Sequence, residues 1–147
     1  MWRLYSKGYV LIVRRFSEQF KRGMIRRVCM YLVDVHAHLH LDGQDADAII
    51  EQARAAGVRS IVDAAVDRAS FRTLIAISDR YPVVNVAGGL YPDQAESWDG
   101  EMGWLDTHRI IAVGECGLDH HIIDDAQVWE LQERLFIAQI DLANRVH

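Results

Sequence analysis

The sequence predicts an α/β fold, a TIM-like (β/α) barrel that is truncated to about four βα units and preceded by an N-terminal extension. Strand-like and helix-like patterns alternate, with strand starts near residues 31, 58, 83 and 109. Such alternation indicates a parallel sheet with helical crossovers. Glycines or potential metal ligands follow three of the apolar runs, where a parallel barrel keeps its active site. With four units, the chain is expected to reach about halfway round a barrel.

Each predicted element has its own basis in the sequence. The strands are short, apolar and rich in β-branched residues, at 31–35, 58–66, 83–87 and 110–113. The helices show apolar residues at helical spacing, at 45–56, 70–81 and 124–146. Gly57 and Pro82 end the first two helices. The predicted buried stripe of the last helix is Val128, Leu131, Leu135, Phe136, Ile140 and Leu142.

Charge divides the chain near residue 30. Residues 1–29 carry eight basic residues and one acid, whereas the remainder carries eight basic residues and twenty acids. Three interpretations of residues 1–29 are open: a basic tail for nucleic acid or anionic lipid, an Arg-rich targeting peptide, or translation from an upstream start. We favour the last, which places residues 1–29 outside the domain and makes residues 30–147 the N-terminal half of a barrel.

Composition limits the setting of the protein. Hydrophobic residues make up 50% of the chain and charged residues 25%, as in soluble globular domains. No apolar run approaches the ~20 residues of a membrane helix. Cys29 and Cys116 are the only cysteines in the sequence, which predicts neither a disulfide framework nor a cysteine zinc site. We therefore expect a cytoplasmic protein without membrane association.

His36 and His38 are candidate metal ligands because they follow an apolar strand and alternate along the chain. In extended backbone, side chains at i and i+2 point to the same face, so two imidazoles can hold one ion. Asp34 shares that face and is expected to orient a ligand or to bind a second ion. His40 continues the alternation, and we expect it to be a solvent or loop histidine and not a third ligand.

Glu115 comes directly after the apolar strand at 110–113. A carboxylate at a buried strand end is costly unless it is paired or bound to a cation. The residue pattern leaves two alternatives: a metal-bridging carboxylate, or a structural carboxylate bonded to backbone N–H groups. Asp119 follows closely and is a candidate polar partner.

Three motifs and one helix together resemble the TatD family of metal-dependent hydrolases over residues 30–147. They are Asp34-x-His36-x-His38-Leu39, Gly89-Leu90-x-Pro92, Gly114-Glu115-x-Gly117-Leu118-Asp119, and Gln132-x-x-x-Phe136-x-x-Gln139-Ile140-x-Leu142-Ala143.

The resemblance implies a TIM-like barrel with two divalent ions (Mg, Zn or Mn) and hydrolysis of DNA or another phosphodiester. It implies that His36 and His38 hold one ion, that Glu115 bridges to the second, and that Glu115 and Asp119 are catalytic. No stable protein partner is implied.

The chain departs from the family pattern in two respects. The family commonly has histidine where this chain has Tyr91. The family's remaining ligands, two histidines and an aspartate, lie on later strands, and His147 comes too early in the pattern to be one of them. We therefore expect the 147-residue chain to be a poor catalyst, or none.

Two alternatives stay open at this point. One is a truncated, inactive remnant that at most binds metal. The other is a phosphoesterase of the polymerase-and-histidinol-phosphatase type, which also opens with His-x-His but lacks the Gly-Glu-x-Gly-Leu-Asp element. A half barrel would also leave two sheet edges open, which favours self-association through those edges.

Overall fold

The computed structural model describes residues 10–14, 30–41, 43–121 and 125–146. In that part of the chain, the strands are β1 (Val10–Arg14), β2 (Met30–Ala37), β3 (Val58–Ala64), β4 (Val84–Gly88) and β5 (Ile110–Val113). The helices are α1 (Ala46–Ala55), α2 (Arg68–Arg80) and α3 (Ala126–Arg145). Aspartates at 45, 67 and 125 cap the three helices by accepting hydrogen bonds from first-turn backbone N–H groups.

The five described strands form one sheet in the order β1-β2-β3-β4-β5. Strands β2 to β5 are parallel to one another, and a helix follows β2, β3 and β5. The predicted (β/α) barrel type, with four parallel strands alternating with helices, is therefore confirmed. Because the strands are parallel, their carboxyl ends meet at one edge of the sheet.

Strand β1 was not predicted. It pairs antiparallel with β2, in a register that joins Val10 to Asp34 and Arg14 to Met30. Its sequence, VLIVR, is rich in β-branched residues that suit a strand. The flanking segments 1–9 and 15–29 lie outside the described residues, and so does His147. The assignment of residues 1–29 to a segment outside the domain stays a prediction.

The apolar core lies between the sheet and the helices. Its largest fully buried apolar side chains are Ile50 on α1, Leu74 on α2, Leu135 on α3 and Val86 on β4. None of the helices in the described ranges is long and apolar enough to cross a membrane.

The predicted stripe of α3 is wrong at Ile140, whose side chain is 44% exposed. The helix instead buries residues 128, 132, 135, 139 and 142, a regular helical series that includes two glutamines. Gln132 and Gln139 thus occupy positions at which periodicity alone would favour apolar side chains.

Candidate metal centre

Three predicted site residues meet at the carboxyl edge of the sheet. His36 lies near the end of β2, His38 follows that strand, and Glu115 lies just beyond β5. Glu115 Oε2 is 3.5 Å from His36 Nε2 and 3.3 Å from His38 Nε2. The two Nε2 atoms are 2.9 Å apart. We call His36 and His38 the histidine side of this centre, and Glu115 and Asp119 its carboxylate side.

The three side chains fit a divalent cation in donor type and orientation. His38 Nδ1 lies 3.1 Å from the carbonyl oxygen of Ala64. A neutral His38 that donates its Nδ1 proton there turns the lone pair of Nε2 toward His36 and Glu115, an arrangement typical of metal-binding histidines. Two imidazole nitrogens and a carboxylate oxygen form a set that Zn²⁺ and similar ions favour. The three side chains are 26–29% exposed, so that solvent can reach them.

Asp34 supports the histidine side from within β2. Its Oδ1 accepts a hydrogen bond of 3.1 Å from the backbone N–H of His36. Burial raises the pKa of Asp34, and its contacts with His36 partly offset that effect. Of the two roles expected for Asp34, this contact fits the orientation of a ligand.

Two further residues, whose contacts were not predicted, lie next to the histidine side. Of the two places expected for His40, solvent or a loop, the structure shows the loop, and both of its ring nitrogens are buried. Its ring packs edge-on against His38, with centroids 5.5 Å apart. Asp63, fully buried near the end of β3, accepts the Leu39 N–H with both carboxylate oxygens, at 3.1 and 3.2 Å. Burial raises the pKa of Asp63 to about 7.

On the carboxylate side, Asp119 pairs with a residue of the neighbouring loop. Tyr91 donates its hydroxyl to Asp119 Oδ2 at 2.8 Å, and Asp119 Oδ1 accepts the backbone N–H of His121 at 3.0 Å. The bond to Asp119 is the main cause that raises the pKa of Tyr91 to about 12, and burial and the charges of Asp119 and Glu115 add to it. Tyr91 therefore stays a protonated donor at neutral pH.

Close backbone packing places Glu115. The backbone N–H of Gly114 donates to the carbonyl of Gly88, and that of Glu115 donates to the carbonyl of Ala65, both at 2.9 Å. A Cβ atom on Gly89 would lie 2.6 Å from the carbonyl carbon of Gly114. Glycine at position 89 therefore allows the loop after β4 to approach the loop that carries Glu115.

The resemblance included Gln132 and Gln139 without assigning them a role, and the residue patterns did not single out Asp63. The glutamines have a recognisable signal, because they fall on the same helical series as Val128, Leu135 and Leu142. Asp63 has a weaker signal, an acid inside the apolar strand β3.

Comparison with known proteins gives consistent results. A sequence model of the family described as TatD related DNase matches residues 33–147. The Bacillus subtilis protein named uncharacterized metal-dependent hydrolase YabD is 32% identical over 123 residues, which cover 79% of this chain and 48% of that protein. Human deoxyribonuclease TATDN3 is 30% identical over 134 residues, covering 79% of this chain and 49% of that protein.

A solved structure agrees with the sequence comparisons. The crystal structure of YJJV, a TATD homolog from Escherichia coli, superimposes with a TM-score of 0.65 at 28% identity, covering 78% of this chain and 47% of that one. The chain spans about half the length of the curated relatives that it matches.

Proposed function

We propose that this chain, which belongs to the TatD-related DNase family, supplies the first half of the active site of a divalent-metal-dependent hydrolase. The proposed substrates are phosphodiesters, DNA among them, since one relative is named a deoxyribonuclease. Residues 30–147 are proposed to form the half-barrel domain. The family match sets aside the alternative of another His-x-His phosphoesterase family.

One observation carries the proposal: the convergence of His36 Nε2, His38 Nε2 and Glu115 Oε2 at the carboxyl ends of two strands that are not neighbours in the sheet. A purely structural carboxylate would need only backbone N–H partners. Here Glu115 faces two imidazoles, one of which has its other nitrogen at a backbone carbonyl.

The proposed roles follow from the chemistry of the side chains. His36 and His38 would hold one ion and Glu115 would bridge to a second; Mg, Zn and Mn are all candidates. Bound divalent ions supply an activated water and stabilise charge on a phosphoryl oxygen. Asp119, kept in place by the Tyr91 hydroxyl, offers a second carboxylate in the loop that carries Glu115. We propose Glu115 and Asp119 as catalytic residues on this basis.

Ion binding by the 147-residue chain tests the proposed ligands directly. Competition with a chromogenic chelator gives the affinity for Zn²⁺ and Mn²⁺. We expect His36→Ala, His38→Ala and Glu115→Ala each to weaken binding by roughly 100-fold or more, since even outer residues around a metal contribute 10–100-fold. The exposed residues His108 and Glu96 give the matched controls His108→Ala and Glu96→Ala. Equal affinities in wild type and Glu115→Ala would overturn the proposal.

Hydrolysis of single-stranded DNA is the second test. In a version that carries the later strands, each of the three substitutions should lower turnover by roughly 10²–10⁴-fold. The 147-residue chain should turn over slowly or not at all, because it spans about half of its relatives. Robust turnover by a verified monomer, lost in Glu115→Ala, would contradict that expectation and show that the half site suffices.

A further inference from the structure

The buried polar side chains of the described residues share one kind of partner. Four polar or charged side chains are buried there: Asp63, Ser70, Gln132 and Gln139. Each one bonds to the backbone of a loop that follows a parallel strand. The pairs are Asp63 with Leu39 after β2, Ser70 with Val66 and Asp67 after β3, Gln139 with Leu90 after β4, and Gln132 with Asp119 after β5.

Gln139 pairs with both backbone groups of one residue. Its Oε1 accepts the N–H of Leu90 at 2.8 Å, and its Nε2 donates to the carbonyl of Leu90 at 3.1 Å. The side chain is 1% exposed. The primary amide thus binds the loop as a neighbouring strand would, although Gln139 and Leu90 are 49 residues apart in sequence.

Gln132 repeats this arrangement on the next loop. Its Oε1 accepts the N–H of Asp119 at 2.8 Å, and its Nε2 donates to the carbonyl of Asp119 at 3.1 Å. Its side chain is fully buried. Gln132 and Gln139 are seven residues apart, about two helical turns, so they lie on one face of α3 with Leu135 between them.

The two loops held by α3 position the carboxylate side of the centre. One carries Asp119 itself, and the other carries Tyr91, which donates to Asp119. The loop of Leu90 also includes Gly89, which packs against Gly114, the residue before Glu115. Gln139 is therefore linked to Glu115 through Leu90 and the close approach of Gly89 to Gly114.

Packing alone does not account for the two glutamines. Leucine at both positions would complete the apolar face of α3, but would leave four backbone groups of Leu90 and Asp119 without these partners. An unpaired buried donor or acceptor costs about 1–3 kcal/mol. The glutamines are thus matched to the loops and not merely tolerated in the core.

We propose that Gln132 and Gln139 are positioning residues, which lock the loops after β4 and β5 so that Glu115 and Asp119 are in place before any ion or substrate binds. The effect on ion binding rests on the proposed function. The locking of the loops does not depend on it.

Amide hydrogen exchange of the ion-free chain tests the locking itself. In Gln139→Leu the Leu90 amide should exchange at least ~10-fold faster relative to the β4 core amide of Val86, and in Gln132→Leu the Asp119 amide should do the same. Gln127→Leu alters an exposed residue of the same helix, and Leu135→Ala destabilises the same face without removing a hydrogen bond to either loop. Neither control should change these ratios. If a leucine variant does not fold, Gln→Asn at the same position keeps the amide but shortens its reach.

Ion affinity is the second readout. Both glutamine variants should bind Zn²⁺ roughly 10–100-fold more weakly than wild type, whereas folded Leu135→Ala should bind it as wild type does. Unchanged exchange ratios in the glutamine variants, or ion affinity lowered no more than in Leu135→Ala, would overturn the inference. If instead Glu115→Ala binds ions as well as wild type does, the proposed function fails, and the ion-free exchange data still decide whether the loops are locked.

Discussion

The two sides of the candidate metal centre are held by different parts of the molecule. The histidine side depends on the adjacent strand β3. His38 Nδ1 lies at the carbonyl oxygen of Ala64, 26 residues away in sequence. Asp63 accepts the backbone N–H of Leu39, the residue after His38, across 24 residues. The carboxylate side depends on a helix that comes after it, through Gln132 and Gln139, which act across 13 and 49 residues.

One side of the site is thus held by the neighbouring strand β3, and the loops of the other side are held by helix α3. Pairing of β2 with β3 brings the histidine segment next to its backbone and side-chain partners at the end of β3. Backbone bonds of the Glu115 loop to Gly88 and Ala65 already place that loop against the sheet. On our proposal, the two carboxylates are held firmly there only when Gln132 and Gln139 of α3 have bonded to both loops. Disturbing α3 should therefore affect the carboxylates and leave the histidines in place, and substitutions on each side can test this separation.

The largest expected effect lies on the histidine side and depends on pH. Because the pKa of Asp63 is raised to about 7 by burial, the folded chain keeps a proton that the unfolded chain releases near pH 4. The free energy of unfolding should therefore fall as pH rises from about 4 to about 7, by an amount on the order of 4 kcal/mol. Urea denaturation with a chelator present measures it.

Asp63→Asn removes the titrating carboxyl group, so the pH dependence of its stability is compared with that of wild type. The stability of this variant relative to wild type should rise steadily between pH 4 and pH 7 and then level off. Curves that run parallel across this range would show that folded Asp63 loses its proton near pH 4, as it does in the unfolded chain.

The next effect lies on the carboxylate side, at the contact between Gly89 and Gly114. A Cβ at position 89 would meet Gly114 backbone atoms at 2.6 and 2.8 Å and Gln139 Oε1 at 2.8 Å. Gly89→Ala should therefore lower the free energy of unfolding by about 1–3 kcal/mol and weaken ion binding. Gly103→Ala is the matched control, since a Cβ there has nothing within 4 Å. Similar losses in both variants would mean that the close approach is unimportant.

The smallest effect concerns the bond between Tyr91 and Asp119. Tyr91→Phe removes the hydroxyl that donates at 2.8 Å and should lower the free energy of unfolding by about 1 kcal/mol. A double-mutant cycle with Asp119→Ala isolates this bond, because alanine leaves no acceptor for the Tyr91 hydroxyl. The coupling energy should be positive and should disappear in Gln132→Leu, if α3 holds Asp119 within reach of Tyr91. A coupling that survives in Gln132→Leu would show that the pair forms without α3.

Much of the fold was predictable because amphipathic periodicity reports which face of an element is buried. The four parallel strands were predicted in this way, and so were the three helices. The convergence of His36, His38 and Glu115 was also predictable, since carboxyl ends of parallel strands share one edge. Strand β1 was missed because the charge of the surrounding segment suggested a boundary at residue 30. Ile140 was misplaced because hydrophobicity alone does not separate it from the buried series next to it.

The sequence by itself determined the order of strands and helices and the strand ends at which the candidate ligands lie, since both follow from short-range patterns. Only the tertiary structure decided which polar groups would be buried and what they would bind. Asp63 meets Leu39, Gln139 meets Leu90 and Gln132 meets Asp119 through hydrogen bonds between distant segments. Such bonds depend on distance and direction after the helices have packed, and no periodic pattern in the chain encodes either quantity.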